Sequence, residues 1–169
     1  NGQELFTYIP NIIDWSGLST LSRPDYTHRY LVDGPVVVSS RKQTPGKNIL
    51  VGTLGKGGKG LFALDVSNPG SFGASGFLWE DAETPGNNMG LVQGRPIIAK
   101  LNNGVTALVV SNGINSTSER AVLLVYNLQT GSLIAEIDTG AGSSSAPNGL
   151  SAPVGWDRDG NGTLDHVYA

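Results

Sequence analysis

The sequence predicts an all-β fold, part of a modified β-propeller made of antiparallel four-stranded blades. Three observations carry this. Only 15% of the 169 residues are charged and 24 are glycine, a composition of short strands and many turns. Gly34-Pro35, Gly94-Arg95-Pro96 and Ala152-Pro153 each open an apolar run, with the prolines 61 and 57 residues apart. Proline fits the first residue of a strand. Between successive prolines there is room for four strand-like runs, the content of one blade.

In chain order, Asn1 to Ile9 reads as a turn and then a lone strand over Leu5 to Ile9. The scattered Ile12, Ile13, Trp15, Leu18 and Leu21 predict one short helix between Asn11 and Arg23, ended near Pro24. The first unit runs through Val36 to Ser39, Asn48 to Gly52, Gly60 to Val66 and Gly76 to Glu80. The second runs through Ile97 to Leu101, Thr106 to Val110, Ala121 to Asn127 and Leu133 to Asp138. Val36 to Ser39 and Ile97 to Leu101 are expected to be equivalent innermost strands. The third unit opens at Ala152-Pro153 and contributes two strands around an Asp-rich turn. The lone first strand and the unfinished last unit predict open sheet edges, which invite self-association.

That turn is Asp157-Arg158-Asp159-Gly160-Asn161-Gly162-Thr163-Leu164-Asp165. Counted from Asp157, oxygen side chains fall at positions 1, 3, 5 and 9, with glycine at position 6. This is calcium-loop spacing: alternate side chains converge on an ion and position 7 offers its main-chain carbonyl. The expected ligands are Asp157, Asp159, Asn161, Thr163 through its carbonyl, and Asp165. All are hard oxygens, which favours calcium over zinc or copper. An EF-hand closes its roughly 12-residue loop with a bidentate Glu. Here Tyr168 holds that place, and the flanks alternate like strands, so Asp165 replaces the Glu in a β-hairpin. A polar Asp/Asn/Gly turn without an ion has a similar composition. Three carboxylates this close nevertheless repel one another unless a cation neutralises them. The equivalent turns of the earlier units, Arg41 to Lys47 and Asn102-Asn103-Gly104, lack these acids. An ion is expected to lock its own hairpin and leave the other units unaffected.

Several classes of function are disfavoured. The net charge of −3 leaves no basic footprint for nucleic acid. From Ser132 onward there are five acids (Glu136, Asp138, Asp157, Asp159, Asp165) and one base, Arg158. The absence of cysteine excludes disulfides, thiolate metal sites and a cysteine nucleophile. No apolar run is long enough to span a membrane. Gly55, Gly57 and Gly60 match a dinucleotide pattern, but they open a strand-like run rather than a helix and read as a plain loop. His28 and His166 lie far apart without a nearby nucleophile, and Trp15, Trp79 and Trp156 are expected to pack in the core.

The runs Asn1 to Pro10, Asp25 to Gly34, Gly57 to Val66, Gly94 to Ile98 and Asp157 to Ala169 together resemble the C-terminal propeller region of PilY/PilC-type proteins. These are type IV pilus tip-associated adhesins and biogenesis factors. The resemblance covers nearly the whole chain. It implies a quinoprotein-like propeller with calcium on Asp157, Asp159, Asn161, Thr163 and Asp165, and no enzymatic activity. It also implies a bacterial-surface, pilus-associated location. Minor pilins and a host-surface receptor are the implied partners, and calcium would support pilus extension against retraction. In the family the last strand is succeeded by a stretch that completes the blade, and Asn1 is not a natural start. Residues 1–169 are therefore expected to form a single partial propeller domain, truncated at both ends. Two rivals stay open: a fragment of a pyrroloquinoline-quinone-type dehydrogenase, and a generic calcium-stapled interaction propeller.

Overall fold

The computed structural model describes residues 2–169. Among these residues, ten strands form two four-stranded antiparallel sheets and one hairpin. The first sheet has the order β1 (Val36–Val38), β2 (Ile49–Thr53), β3 (Gly60–Asp65), β4 (Phe77–Ala82). The second repeats that order with β5 (Ile97–Lys100), β6 (Thr106–Ser111), β7 (Arg120–Asn127) and β8 (Leu133–Gly142). The hairpin pairs β9 (Val154–Trp156) with β10 (His166–Tyr168). The three proline-opened runs thus become β1, β5 and β9, with β1 against β5 and β5 against β9. This is the blade architecture that the repeat predicts.

Successive side chains on a strand point to opposite faces. In the central strands both faces are buried, so the runs are continuously apolar rather than alternating. From the first sheet Val37, Val51, Ala63 and Trp79 meet Leu108, Val110, Leu124 and Tyr126 of the second in one shared core. The opposite face of the second sheet, with Ala107, Val109 and Val125, receives Leu164 and Val167 of the hairpin. The sheets therefore stack face to face, and their contact area is the main apolar burial of the molecule.

Three expectations change. Leu5 to Ile9 pairs with no strand among the described residues. Its alternate side chains Phe6 and Tyr8 pack on the far side of the first sheet, where Phe6 stacks on Phe72 with ring centroids 4.0 Å apart, while Leu5 and Ile9 stay exposed. Tyr8 packs on Phe62 and its hydroxyl hydrogen-bonds Glu80. Apolar contact with a sheet face replaced ladder pairing, and no open edge arises there. The expected helix shrinks to α1 (Trp15–Leu18), succeeded by single turns to Arg23. Trp79 is buried, but Trp15 and Trp156 are 49% and 48% exposed, because neither has a sheet stacked over it. The Gly55 to Gly60 segment is a short 3-10 turn leading into β3, as a plain loop requires. At the other end of the array the outer edge of β10 is unpaired among the described residues, as expected.

Candidate metal centre

The Asp-rich loop joins β9 to β10. Its turn is built by side chains bonding the local main chain, the tendency of Asp and Asn in tight turns. Asp157 Oδ1 accepts from the N–H groups of Gly160 at 2.8 Å and Asn161 at 3.2 Å, and its Oδ2 accepts from Gly162 N–H at 2.7 Å. Gly162, at position 6, has φ +87°, the left-handed backbone that the sharp turn demands. Asp159 Oδ1 accepts from Asn161 N–H at 3.1 Å. Asp165 Oδ2 accepts from Arg158 N–H at 2.8 Å, so the loop closes on itself.

The three carboxylates converge. Asp157, Asp159 and Asp165 each offer an oxygen, and these oxygens lie within 4.8 Å of one another. The Arg158 main-chain N–H is the chief cause that holds the Asp165 carboxyl below its ordinary range, against an opposing effect of desolvation and with help from the Asn102 amide. The Asn161 oxygen accepts from Thr163 N–H at 2.8 Å, while its amide nitrogen donates to Asp159 Oδ2 at 3.0 Å. The same oxygen also faces the Thr163 hydroxyl at 2.5 Å, so its second lone pair is open to an ion when that hydroxyl's proton turns to Asn102. The donor set fits a hard cation: acidic oxygens at hairpin range, already oriented by main-chain N–H groups.

Beside the loop a cavity of about 700 Å3 is lined by Lys42, Ile98, Lys100, Asp157 and Gly162 among others. Asn102 was not among the residues expected from the sequence. Its Oδ1 accepts from the Thr163 hydroxyl at 2.6 Å, from the turn between β5 and β6 in the neighbouring sheet. The signal was present in the repeat, since Asn102 occupies the second unit's equivalent of the Asp-rich turn. His166 packs its ring 5.6 Å from that of Trp156, and His28 packs edge-on against Tyr30. Both histidines are exposed and lie beside an aromatic ring.

Stacked antiparallel four-stranded sheets, with an acidic loop at the inner hairpin of the third unit, define a segment of a β-propeller. The model of the PilY1 beta-propeller domain matches residues 17–169, and the chain belongs to that family. It is 40% identical over 176 residues to a type IV pilus biogenesis factor PilY1 homolog of Xylella fastidiosa, covering 99% of this chain and 12% of the relative. It is 35% identical over 173 residues to the type IV pilus biogenesis factor PilY1 of Pseudomonas aeruginosa strain PAO1, covering 100% of this chain and 14% of the relative. The chain thus spans about an eighth of the length of these relatives. The crystal structure of the Pseudomonas aeruginosa PilY1 C-terminal domain superposes with a TM-score of 0.76 at 32% identity, over 99% of this chain and 32% of that one. These relatives are named as pilus biogenesis factors, which sets the family match against the quinoprotein dehydrogenase rival.

Proposed function

We propose that this chain is the calcium-binding propeller segment of a type IV pilus biogenesis factor and tip adhesin. The single observation that supports the ion is the convergence of Asp157, Asp159 and Asp165 in a loop with calcium spacing. Asn161 and the Thr163 carbonyl complete the protein's ligand set. Family membership and the relatives' names support the pilus role. In this reading the protein acts at the bacterial surface, against minor pilins and a host-surface receptor. Calcium supports pilus extension against retraction by stiffening the propeller.

Calcium titration by calorimetry on the wild type and Asp159→Ala tests the site, with binding expected only in the former. Counting surface pili on cells that carry either form of the whole protein tests the role, with fewer pili expected for Asp159→Ala. Equal calcium affinity refutes the site. Lost affinity with unchanged piliation refutes the role and leaves the site standing.

A further inference from the structure

The Asp-rich loop is tied to the second sheet at its far end. Leu164 N–H donates to the Lys100 carbonyl at 2.7 Å, and Leu164 forms a one-residue parallel bridge with Leu101. The Thr163 hydroxyl lies 2.6 Å from Asn102 Oδ1 and 2.5 Å from Asn161 Oδ1, and its one proton serves both acceptors. The Leu164 side chain belongs to the core beneath Ala107 and Val109. A cruder version exists one joint earlier. Gln43, in the turn between β1 and β2, donates its amide to the Ile98 carbonyl at 2.6 Å, and its main-chain carbonyl accepts from the Thr106 hydroxyl at 2.9 Å. Adjacent units are thus bonded at both first-hairpin turns, and at the second joint the bond reaches a residue of the candidate ion site.

We infer that Asn102 is a positioning residue of that site, and that a cation held by the Asp-rich loop stiffens the joint between the second sheet and the hairpin. The inference rests on the calcium reading. Position 7 of the loop supplies its main-chain carbonyl, so the direction of Thr163 decides whether that oxygen meets the ion. Asn102 holds Thr163 by its hydroxyl and faces Asp165 as well. Groups in this outer role orient ligands, and losing one typically costs about 10–100-fold in metal affinity. Coupling of this kind is reciprocal: an ion that fixes Thr163 also fixes the turn that carries Asn102. The stiffening then crosses from one unit to the next, instead of ending in the hairpin as the sequence alone suggests.

The test uses the 169-residue chain with calcium alone as the probe, read by amide hydrogen exchange and calorimetry. In the wild type, calcium should slow exchange over 157–165 and also over 101–105. In Asn102→Ala calcium affinity should fall about tenfold. Protection over 101–105 should vanish while that over 157–165 persists. Thr163→Val keeps the main-chain carbonyl and removes the hydroxyl with its contacts to Asn102 and Asn161, and it should lose the same protection over 101–105. Asn102→Asp retains an oxygen facing that hydroxyl but loses the amide that donates to Asp165, so it should restore the protection over 101–105 without restoring the affinity. If Asn102→Ala does not fold, Thr163→Val decides. Calcium that binds the wild type without protecting 101–105, or that protects it equally in both variants, overturns this inference alone. A wild type that binds no calcium overturns the calcium reading and this inference together.

Discussion

The indole N–H of Trp79 donates to the main-chain carbonyl of Leu128 at 2.9 Å, joining the outer strand of the first sheet to the turn after β7. Its ring also stacks on Tyr126, centroids 6.1 Å apart. Trp79→Phe keeps most of the apolar contact but leaves a buried carbonyl unpaired, a loss of about 1–3 kcal/mol. Trp79→Ala removes the contact too and should cost roughly 3–5 kcal/mol. Denaturant unfolding of the three proteins checks both the sign and the order.

Gly131 lies under the same ring. Its φ is +72°, and a Cβ there would sit 2.6 Å from the Trp79 indole. Gly131→Ala combines an unfavourable backbone with overpacking and should destabilise by about 1–3 kcal/mol. Paired with Trp79→Phe, which frees some of that space, the combined loss in denaturant unfolding should be smaller than the sum of the two single losses.

Acid should loosen the outer part of the joint between sheets. Glu83 receives the Lys59 ammonium at 2.8 Å and the Thr117 N–H at 2.8 Å. Burial alone would raise its pKa, but these donors and the Thr117 hydroxyl outweigh it and hold the carboxyl below its ordinary range. The folded state therefore binds fewer protons than the unfolded one near that range. The stability Glu83 lends is present above the unfolded glutamate pKa and is lost as pH falls through the folded value. Unfolding free energies measured from about pH 7 down to about pH 3 should fall less steeply in Glu83→Gln.

Calcium should raise the unfolding free energy by mass action, by about 2.7 kcal/mol at a hundredfold excess over its dissociation constant. Asp159→Ala should abolish that increment and leave the calcium-free stability nearly unchanged. Thermal unfolding with and without a chelator reads both quantities.

Free sheet edges should make the isolated chain associate. Ile137 on β8 is 51% exposed and Tyr168 on β10 is 58% exposed. Sedimentation should show a mass that rises with concentration, and Ile137→Lys should shift it toward the monomer. A monomer across the whole range contradicts this.

Much of the architecture was readable because its determinants are local. Pro35, Pro96 and Pro153 mark the approach to β1, β5 and β9, and Gly- and Asn-rich turns separate the later strands of each unit. The convergence of Asp157, Asp159 and Asp165 was readable for the same reason, since all three lie within nine residues. The misread elements depend on partners distant in sequence. Leu5 to Ile9 alternates like a strand, yet its partners are Phe62 and Glu80 on the first sheet and Phe72 in the connection between β3 and β4. Asn102 looked like an ordinary turn residue because its bond to Thr163 spans 61 residues. The bare surroundings of Trp156 likewise reflect which faces have neighbours, and local pattern does not report that.

The segment from Phe6 to Leu18 occupies the face of the first sheet on which another sheet could stack. The array is consequently polar, like a bolt with a head at one end and a thread at the other. At the head, Phe6, Tyr8 and Ile13 have already claimed Phe62, Leu64 and Phe72, and any newcomer would meet this strap and its half-exposed Trp15. At the thread, Val154, Trp156 and Tyr168 stand open. One face of the array is thus covered by the chain's own strap and the opposite one is bare, and the ion loop sits at the bare side.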